Sequence, residues 1–284
     1  MLVYAISLRE HADRRQHLAD ACDAAGLNVV WFDAVDGRTV SSDEIASRET
    51  YPEAGSYPLT PTQYGCYLSH VRCWQAFLET EAPFVAIFED DVHLADDIGP
   101  FLQQAEDRFP ENGDIVKLET CLQPVRLESR PENTVLGRDL YRLKGKHLGS
   151  AAYILSRKGA RKLLENSEKF AMGVDAVMFN PRARLKHSMV NYQVDPAICI
   201  QDDIGHRCGL PSLGFFSVNP IRESRKSRGA NPVEYGDYLI RDCLRRTKLQ
   251  LGYLIGGCRK RTVDFRQNAA RSCQNAKPSY KAAL

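Results

Sequence analysis

The chain has 284 residues, of which 43% are hydrophobic and 26% charged, and a formal net charge of +2. That length supports one substantial core, alone or with an appendage, and that balance excludes collagen-like, disordered and multi-pass membrane classes. The near-neutral total hides a split: residues 205–284 carry 16 Lys/Arg against 5 Asp/Glu, whereas residues 1–204 carry 22 against 31. An acidic body with a basic tail predicts an anionic partner for the tail.

Met1-Leu2-Val3-Tyr4-Ala5-Ile6-Ser7-Leu8 reads as a first strand, because it has neither the basic flank nor the cleavage pattern of a signal peptide. Leu18, Ala21, Cys22 and Ala25 then recur at helical spacing, Gly26 supplies a stop, and Val29-Val30-Trp31-Phe32 reads as the next strand. This is a βαβ opening. Its polar turn, with Ser7, Arg14 and Arg15, falls where open α/β sheets bind ligands, and the two arginines suit phosphate geometry. A surface pair on an ordinary helix is the competing reading.

Thr60-Pro61-Thr62-Gln63 combines an N-cap hydroxyl, a proline at the first helical position and a glutamine placed to close a capping box. The helix that follows carries Tyr64, Tyr67, Leu68, Val71, Trp74 and Leu78 on one face. Ser69 and His70 lie inside it, His70 either as a satisfied core histidine or as a ligand contact. Phe84-Val85-Ala86-Ile87-Phe88 is an apolar strand that ends in Glu89-Asp90-Asp91. Three adjacent acids repel one another unless a cation or solvent absorbs the charge, and hard carboxylate oxygens suit Mg²⁺ or Mn²⁺. Period-two alternation turns Glu89 and Asp91 one way and Asp90 the other.

Ile98, Phe101, Leu102 and Ala105 mark another helix, and Asp114-Ile115-Val116-Lys117-Leu118-Glu119 a further strand. On it Lys117 is either a salt-bridge partner of Glu119 or a ligand contact. Residues 120–147 read as loops around short strands such as Leu140–Leu143. Gly149–Leu155 then gives a turn and strand, and Ser156 caps a helix to about Glu165. Repeated β/α alternation predicts an α/β sandwich. From Pro211 the pattern changes to a basic helix near 235–254 and the run Arg259-Lys260-Arg261. The sharper reading of that tail is docking on an anionic membrane surface, at roughly 1 kcal/mol per basic residue near it, and the other is a solvated helix. No recognition motif accompanies the charge, so nucleic acid is not an expected partner. Most of the nine cysteines, which form no C-x-x-C pair, read as reduced packing residues in a cytoplasmic protein. No apolar run approaches the ~20 residues that span a bilayer.

In order along residues 1–203, Ile6-Ser7-Leu8, Arg14-Arg15, Ala34-Val35-Asp36-Gly37, Gly65-Cys66-Tyr67-Leu68-Ser69-His70, Ile87–Val92, Gly149–Ser156, Val174-Asp175 and Pro196–Gln201 resemble glycosyltransferase family 25. That family comprises bacterial lipooligosaccharide galactosyltransferases and animal collagen-modifying relatives. The resemblance implies a GT-A-like fold, a Rossmann-type α/β/α sandwich over residues 1–204; residues 205–284 lie outside it and read, from their charge and periodicity, as a basic, partly helical C-terminal extension. The resemblance also implies a UDP-sugar donor, most simply UDP-galactose, inversion at the anomeric carbon, and Mn²⁺ or Mg²⁺ on a DxD-type motif. Asp91 then binds the metal, Glu89 contacts ribose or a metal-bound water, and Asp90 assists either. Ser7, Arg14, Asp36, Ser69, His70 and Lys117 fall on the donor side, and Gln201 is the candidate third ligand in the polar cluster Gln201–His206. Asp175 is the expected base, by similarity also to β1,3-galactosyltransferase and Fringe-like families, with an N-cap aspartate as the alternative reading and Glu119 as the rival base. Gly149 and Ser150, being small, are expected to admit the acceptor.

The acceptor implied is a glycolipid oligosaccharide, which places the enzyme in the cytoplasm or at the cytoplasmic face of the inner membrane. Two alternatives stay open at this level: a protein-hydroxyl galactosyltransferase of the collagen-modifying type, and a catalytically silent sugar-nucleotide-binding module.

Overall fold

The structure, a computed structural model, describes residues 1–48, 59–168, 172–180, 183, 188–214, 257–268 and 271–272. β1 (Leu2–Ser7) lies between β2 (Val29–Asp33) and β3 (Phe84–Glu89) and runs parallel to both. The sheet continues from β3 through β10 (Ala152–Ser156), β5 (Ile115–Lys117), β11 (Asn191–Asp195), β9 (Arg138–Arg142) and β8 (Asn133–Val135), eight strands in all. β10 is antiparallel to both its neighbours, while β5 and β11 pair in parallel. A second sheet orders β4 (Val92–Leu94), β12 (Cys199–Gln201) and β6 (Glu119–Thr120).

Strand periodicity divides the core in two. Val3, Ala5, Ala86, Phe88, Ala152 and Ile154 face α1 (Ala12–Ala24) and α4 (Ile98–Asp107). Their neighbours Tyr4, Ile6, Val85, Ile87, Tyr153 and Leu155 face α2 (Ser42–Arg48), α3 (Pro61–Leu78), α5 (Arg157–Leu164) and α6 (Val174–Phe179). Successive side chains on opposite faces, each covered by helices, are the signature of an α/β/α sandwich.

Local signals hold where they were strongest. α3 starts with the full capping box: the Gln63 amide donates to Thr60 Oγ1 at 3.2 Å, and Gln63 Oε1 accepts from the Thr60 amide at 3.0 Å. Ser156 caps α5 by accepting from the Gly159 amide at 3.1 Å, and Gly26 follows α1 with φ +68°. All four apolar positions read for α4 are buried.

Three expectations need correction. The run 114–119 is not one strand: it breaks at Leu118, whose amide donates to Ala152 and whose carbonyl accepts from Ile198 and Cys199, so β5 and β6 join different sheets. Gly173, not Asp175, is the N-cap of α6, and Asp175 stands in its first turn. The boundary at 204 does not separate two independently packed units. β13 (Cys258–Thr262) pairs with β7 (Pro124–Glu128), Val263 and Phe265 are buried, and Thr120 Oγ1 donates to the Val263 carbonyl at 2.6 Å. Buried Arg138 ties this return segment to the body, donating to Asp97, to the Ala197 carbonyl and to the Arg266 carbonyl. There β14 (Arg266–Asn268) pairs with β15 (Arg271–Ser272), and α7 (Asp202–Gly205) follows β12. Arg259-Lys260-Arg261 is therefore strand, and the basic helix expected near 235–254 lies outside the described residues.

Cys22, Cys66, Cys73, Cys121, Cys199 and Cys258 form no disulfide, whereas Cys208 is disulfide-bonded, which departs from the reduced reading at that position. Among the described residues no helix is long and apolar enough to cross a membrane.

Candidate active site

Glu89 ends β3, and Asp90 and Asp91 form the turn to β4, at the same sheet end as Ser7 of β1. Asp90 faces β1 and α1. Ser7 Oγ donates to it at 2.6 Å, Arg14 Nη1 donates at 3.2 Å, and His11 Nδ1 lies 3.7 Å away. Glu89 turns the other way, toward α3 and β10, where Oε1 accepts from Ser150 Oγ at 2.7 Å and from His70 Nε2 at 3.2 Å. Burial alone raises a carboxyl, but His70, Ser150 and Lys117 outweigh it and hold Glu89 below its ordinary range.

Asp91 is the unstable member. It is buried, and Gln201 Nε2 of β12 donates to its oxygens at 3.3 and 3.4 Å. Burial, then the charges of Glu89 and Asp90, push its carboxyl up to about 8 against the pull of Arg14 and Gln201. A buried acid so frustrated, beside a second carboxylate and an amide that offers it Nε2 here and would offer Oε1 when turned over, can become an oxygen donor set once a cation lets Asp91 ionise. That set fits a hard divalent cation. Within the polar cluster after β12 only Gln201 points here, since Asp202 is bound by His93 Nε2 at 2.8 Å and His206 is exposed.

The acidic group of α6 approaches the same cleft. Asp175 Oδ2 accepts from the Gly149 amide at 3.3 Å and Oδ1 from the Ala176 amide at 2.7 Å. Cys66 records how close the acids are: burial, then Glu89, Asp175 and Asp91, drive its thiol well above the usual range. Glu119 is placed differently. Its side chain is 1% exposed, Oε1 accepts from Lys117 Nζ at 2.8 Å and from the Ala151 amide at 2.7 Å, and burial raises it despite Lys117. Lys117 is fully buried, also donates to the Gly149 carbonyl at 2.6 Å, and sits 4.5 Å over the Phe179 ring. Lys117 thus stands as a buried salt-bridge partner of Glu119, with no part of it reaching solvent.

Gly149 is small for an internal reason. Its φ is +102°, and a Cβ there would stand 2.9 Å from both Glu119 carboxylate oxygens. Ser150, in contrast, is committed to Glu89. Asp36 caps the short turn Gly37–Thr39, accepting from the Arg38 amide at 2.9 Å. Ser69 pins the preceding loop to α3, accepting from the Val35 amide at 2.8 Å and donating to the Gly65 carbonyl at 2.7 Å. A side chain on Gly65 would meet the Val35 carbonyl oxygen at 2.4 Å, which explains why glycine stands where α3 crosses that loop. Ser69 is thus 2% exposed and holds the loop that carries Asp36.

A family model described as glycosyltransferase family 25 (LPS biosynthesis protein) matches residues 1–178. The chain belongs to glycosyltransferase family 25. It is 32% identical over 213 residues, 70% of this chain and 73% of the relative, to the lacto-N-neotetraose biosynthesis glycosyltransferase LgtE of Neisseria gonorrhoeae. With LgtB of the same organism the figures are 32% over 214 residues, 70% and 74%. With the lipooligosaccharide biosynthesis protein lic2B of Haemophilus influenzae they are 27% over 209 residues, 70% and 75%. Among solved structures, a glycosyltransferase involved in glycosylation of the major capsid of PBCV-1 shares 9% identity, covers 71% of this chain and 94% of its own, and has a TM-score of 0.37. That score is too low to bear on the fold.

In this family 25 glycosyltransferase, Cys66, Trp74 and Tyr153 read from the sequence as motif or helix-face residues, with no part given to them in the site. Trp74 and Tyr153 were legible only as core, and both are fully buried, yet each carries a polar atom that must find a partner. Trp74 Nε1 donates to the Tyr153 hydroxyl at 2.8 Å, and that hydroxyl lies 2.9 Å from His70 Nδ1. A buried tyrosine in a strand register with Ile87 and Lys117 was the available signal.

Proposed function

We propose that this chain is a metal-dependent, inverting hexosyltransferase of GT-A architecture, moving galactose from UDP-galactose to a lipooligosaccharide or lipopolysaccharide acceptor. The observation that carries it is the convergence of Glu89, Asp91 and Gln201 at the strand ends with Asp175 across the cleft, in a chain of family 25. The names of the Neisseria and Haemophilus relatives support the glycolipid acceptor.

Asp91, with Glu89 and Gln201, would hold Mn²⁺ or Mg²⁺. When bound, the ion supplies Lewis-acid neutralisation of the diphosphate leaving group. Ser7 and Arg14 fix Asp90 on the other side of the turn, which leaves Glu89 and Asp91 to the donor. Asp175 accepts the acceptor hydroxyl proton as the new bond forms at the anomeric carbon and the bond to UDP breaks on the opposite face. The Gly149 and Ala176 amides hold its carboxylate in place for that task. Glu119, sealed by Lys117, supports the Gly149–Ala151 turn instead of acting as the base. The exposed Arg259 and Lys260 of β13 extend the basic surface toward an anionic membrane.

A donor screen tests the reading: purified protein with Mn²⁺ and UDP-galactose, UDP-glucose or the N-acetylated UDP-sugars. Turnover with UDP-galactose, abolished by EDTA, is expected. Tight UDP binding with no transfer or hydrolysis of any of the four would refute it.

A further inference from the structure

His70 and Trp74 stand four residues apart on one face of α3, above Tyr153, the second residue of β10, and all three side chains are fully buried. An indole N–H can only donate, so the Tyr153 oxygen accepts from Trp74 at 2.8 Å and its own proton is left for His70. At 2.9 Å that proton meets Nδ1, which becomes the acceptor nitrogen. The remaining ring proton is thereby assigned to Nε2, which faces Glu89 Oε1 at 3.2 Å. One N–H on the imidazole satisfies every group in the chain.

We infer that Trp74, Tyr153 and His70 are positioning residues forming a one-way donor chain that saturates Glu89 Oε1 and presents Glu89 Oε2 to the bound nucleotide. This rests on the proposed reading of Glu89 as a donor contact. Oε1 takes two hydrogen bonds, from His70 and Ser150, whereas no described residue donates to Oε2. The free oxygen is therefore left to the bound donor, either as a ligand of its ion or as an acceptor for a ligand hydroxyl or a metal-bound water. The same polarity argues against a cation between Cys66, His70 and Glu89, whose ligand atoms lie within 4.8 Å of one another. Such an ion would need the Nε2 lone pair, moving the proton to Nδ1 and leaving the Tyr153 hydroxyl proton buried without an acceptor.

The probe is UDP with Mn²⁺, titrated calorimetrically into wild type, E89Q, Y153F, H70N, H70Q and H70Q/Y153F, with thermal melts confirming the fold. A glutamine amide reproduces the donor at Nε2, whereas an asparagine amide reaches only the Nδ1 side. Losing a hydrogen bond to a charged partner is worth on the order of tenfold, so Y153F and H70N should raise Kd by about that factor or more. H70Q should raise it only about threefold, and adding Y153F to H70Q should cost nothing further, because the amide needs no proton from tyrosine. Equal loss in H70Q and H70N, or a full Y153F penalty in the H70Q background, would overturn the inference while E89Q still weakens binding. E89Q binding as tightly as wild type would instead remove the reading of Glu89 itself, and the inference with it. Should Y153F fail to fold, the H70Q to H70N ratio decides alone.

Discussion

Replacing Asp91 by asparagine should stabilise the metal-free protein while abolishing its metal-dependent nucleotide binding. In the unfolded chain the Asp91 carboxyl ionises near its ordinary 3.8, and in the folded chain near 8. Between those values the folded state binds more protons than the unfolded one, so stability falls as pH rises through the window and levels off above it. Full linkage over that interval amounts to at most ~6 kcal/mol, and water entering the cleft screens part of it, leaving about 3 kcal/mol. For a chain of this size that corresponds to roughly 6 °C or more in Tm. Thermal melts in EDTA from pH 5 to 8.5 should show wild type losing stability with pH and D91N staying level, ending above wild type at pH 8. Mn²⁺ should raise the Tm of wild type and not of D91N. A D91N protein that melts below wild type at pH 8 in EDTA, or follows the same pH slope, would refute the argument that Asp91 is a frustrated acid awaiting a cation.

Asp175→Asn should retain UDP binding in the presence of Mn²⁺ and lose at least about 10²-fold in transfer, as removal of a general base does; a parallel loss of UDP binding would sink the separation of roles. Lys117→Met leaves the Glu119 charge buried and should cost about 3 kcal/mol in urea unfolding, with E119Q recovering much of it in the same chain. A K117M penalty below about 1 kcal/mol would show that the pair is not the support of the Gly149 turn. Phe265→Ala should destabilise the whole protein by roughly 3 kcal/mol in one cooperative transition, because the return segment is part of the core. A separate early transition would restore the view of 205–284 as an appendage.

The acidic turn of the candidate site was legible because it is local. An apolar strand ending in acids places Glu89, Asp90 and Asp91 at a sheet end, and period two separates Asp90 from its neighbours; both follow from the backbone alone. The helix of Thr60–Gln63 was equally explicit, since capping is a contact between residues three apart. Resemblance added Asp175, whose approach to Gly149 spans 26 positions and leaves no local trace. Lys117 and Glu119 show the limit. Two residues apart on adjoining strands, they read equally well as chemistry or as a salt bridge, and only their complete burial chose the second.

The sequence by itself determined the alternation of strands and helices, the acidic strand end, the caps and the family. Each is written in neighbouring residues or in their order. Tertiary structure decided what each polar atom faces: Gln201 rather than Asp202 toward Asp91, Glu119 inward against Gly149, Tyr153 between Trp74 and His70, and Phe265 back in the core. These choices join residues distant along the chain, and they are fixed by the requirement that buried donors, acceptors and charges find partners, which is a property of the packed molecule.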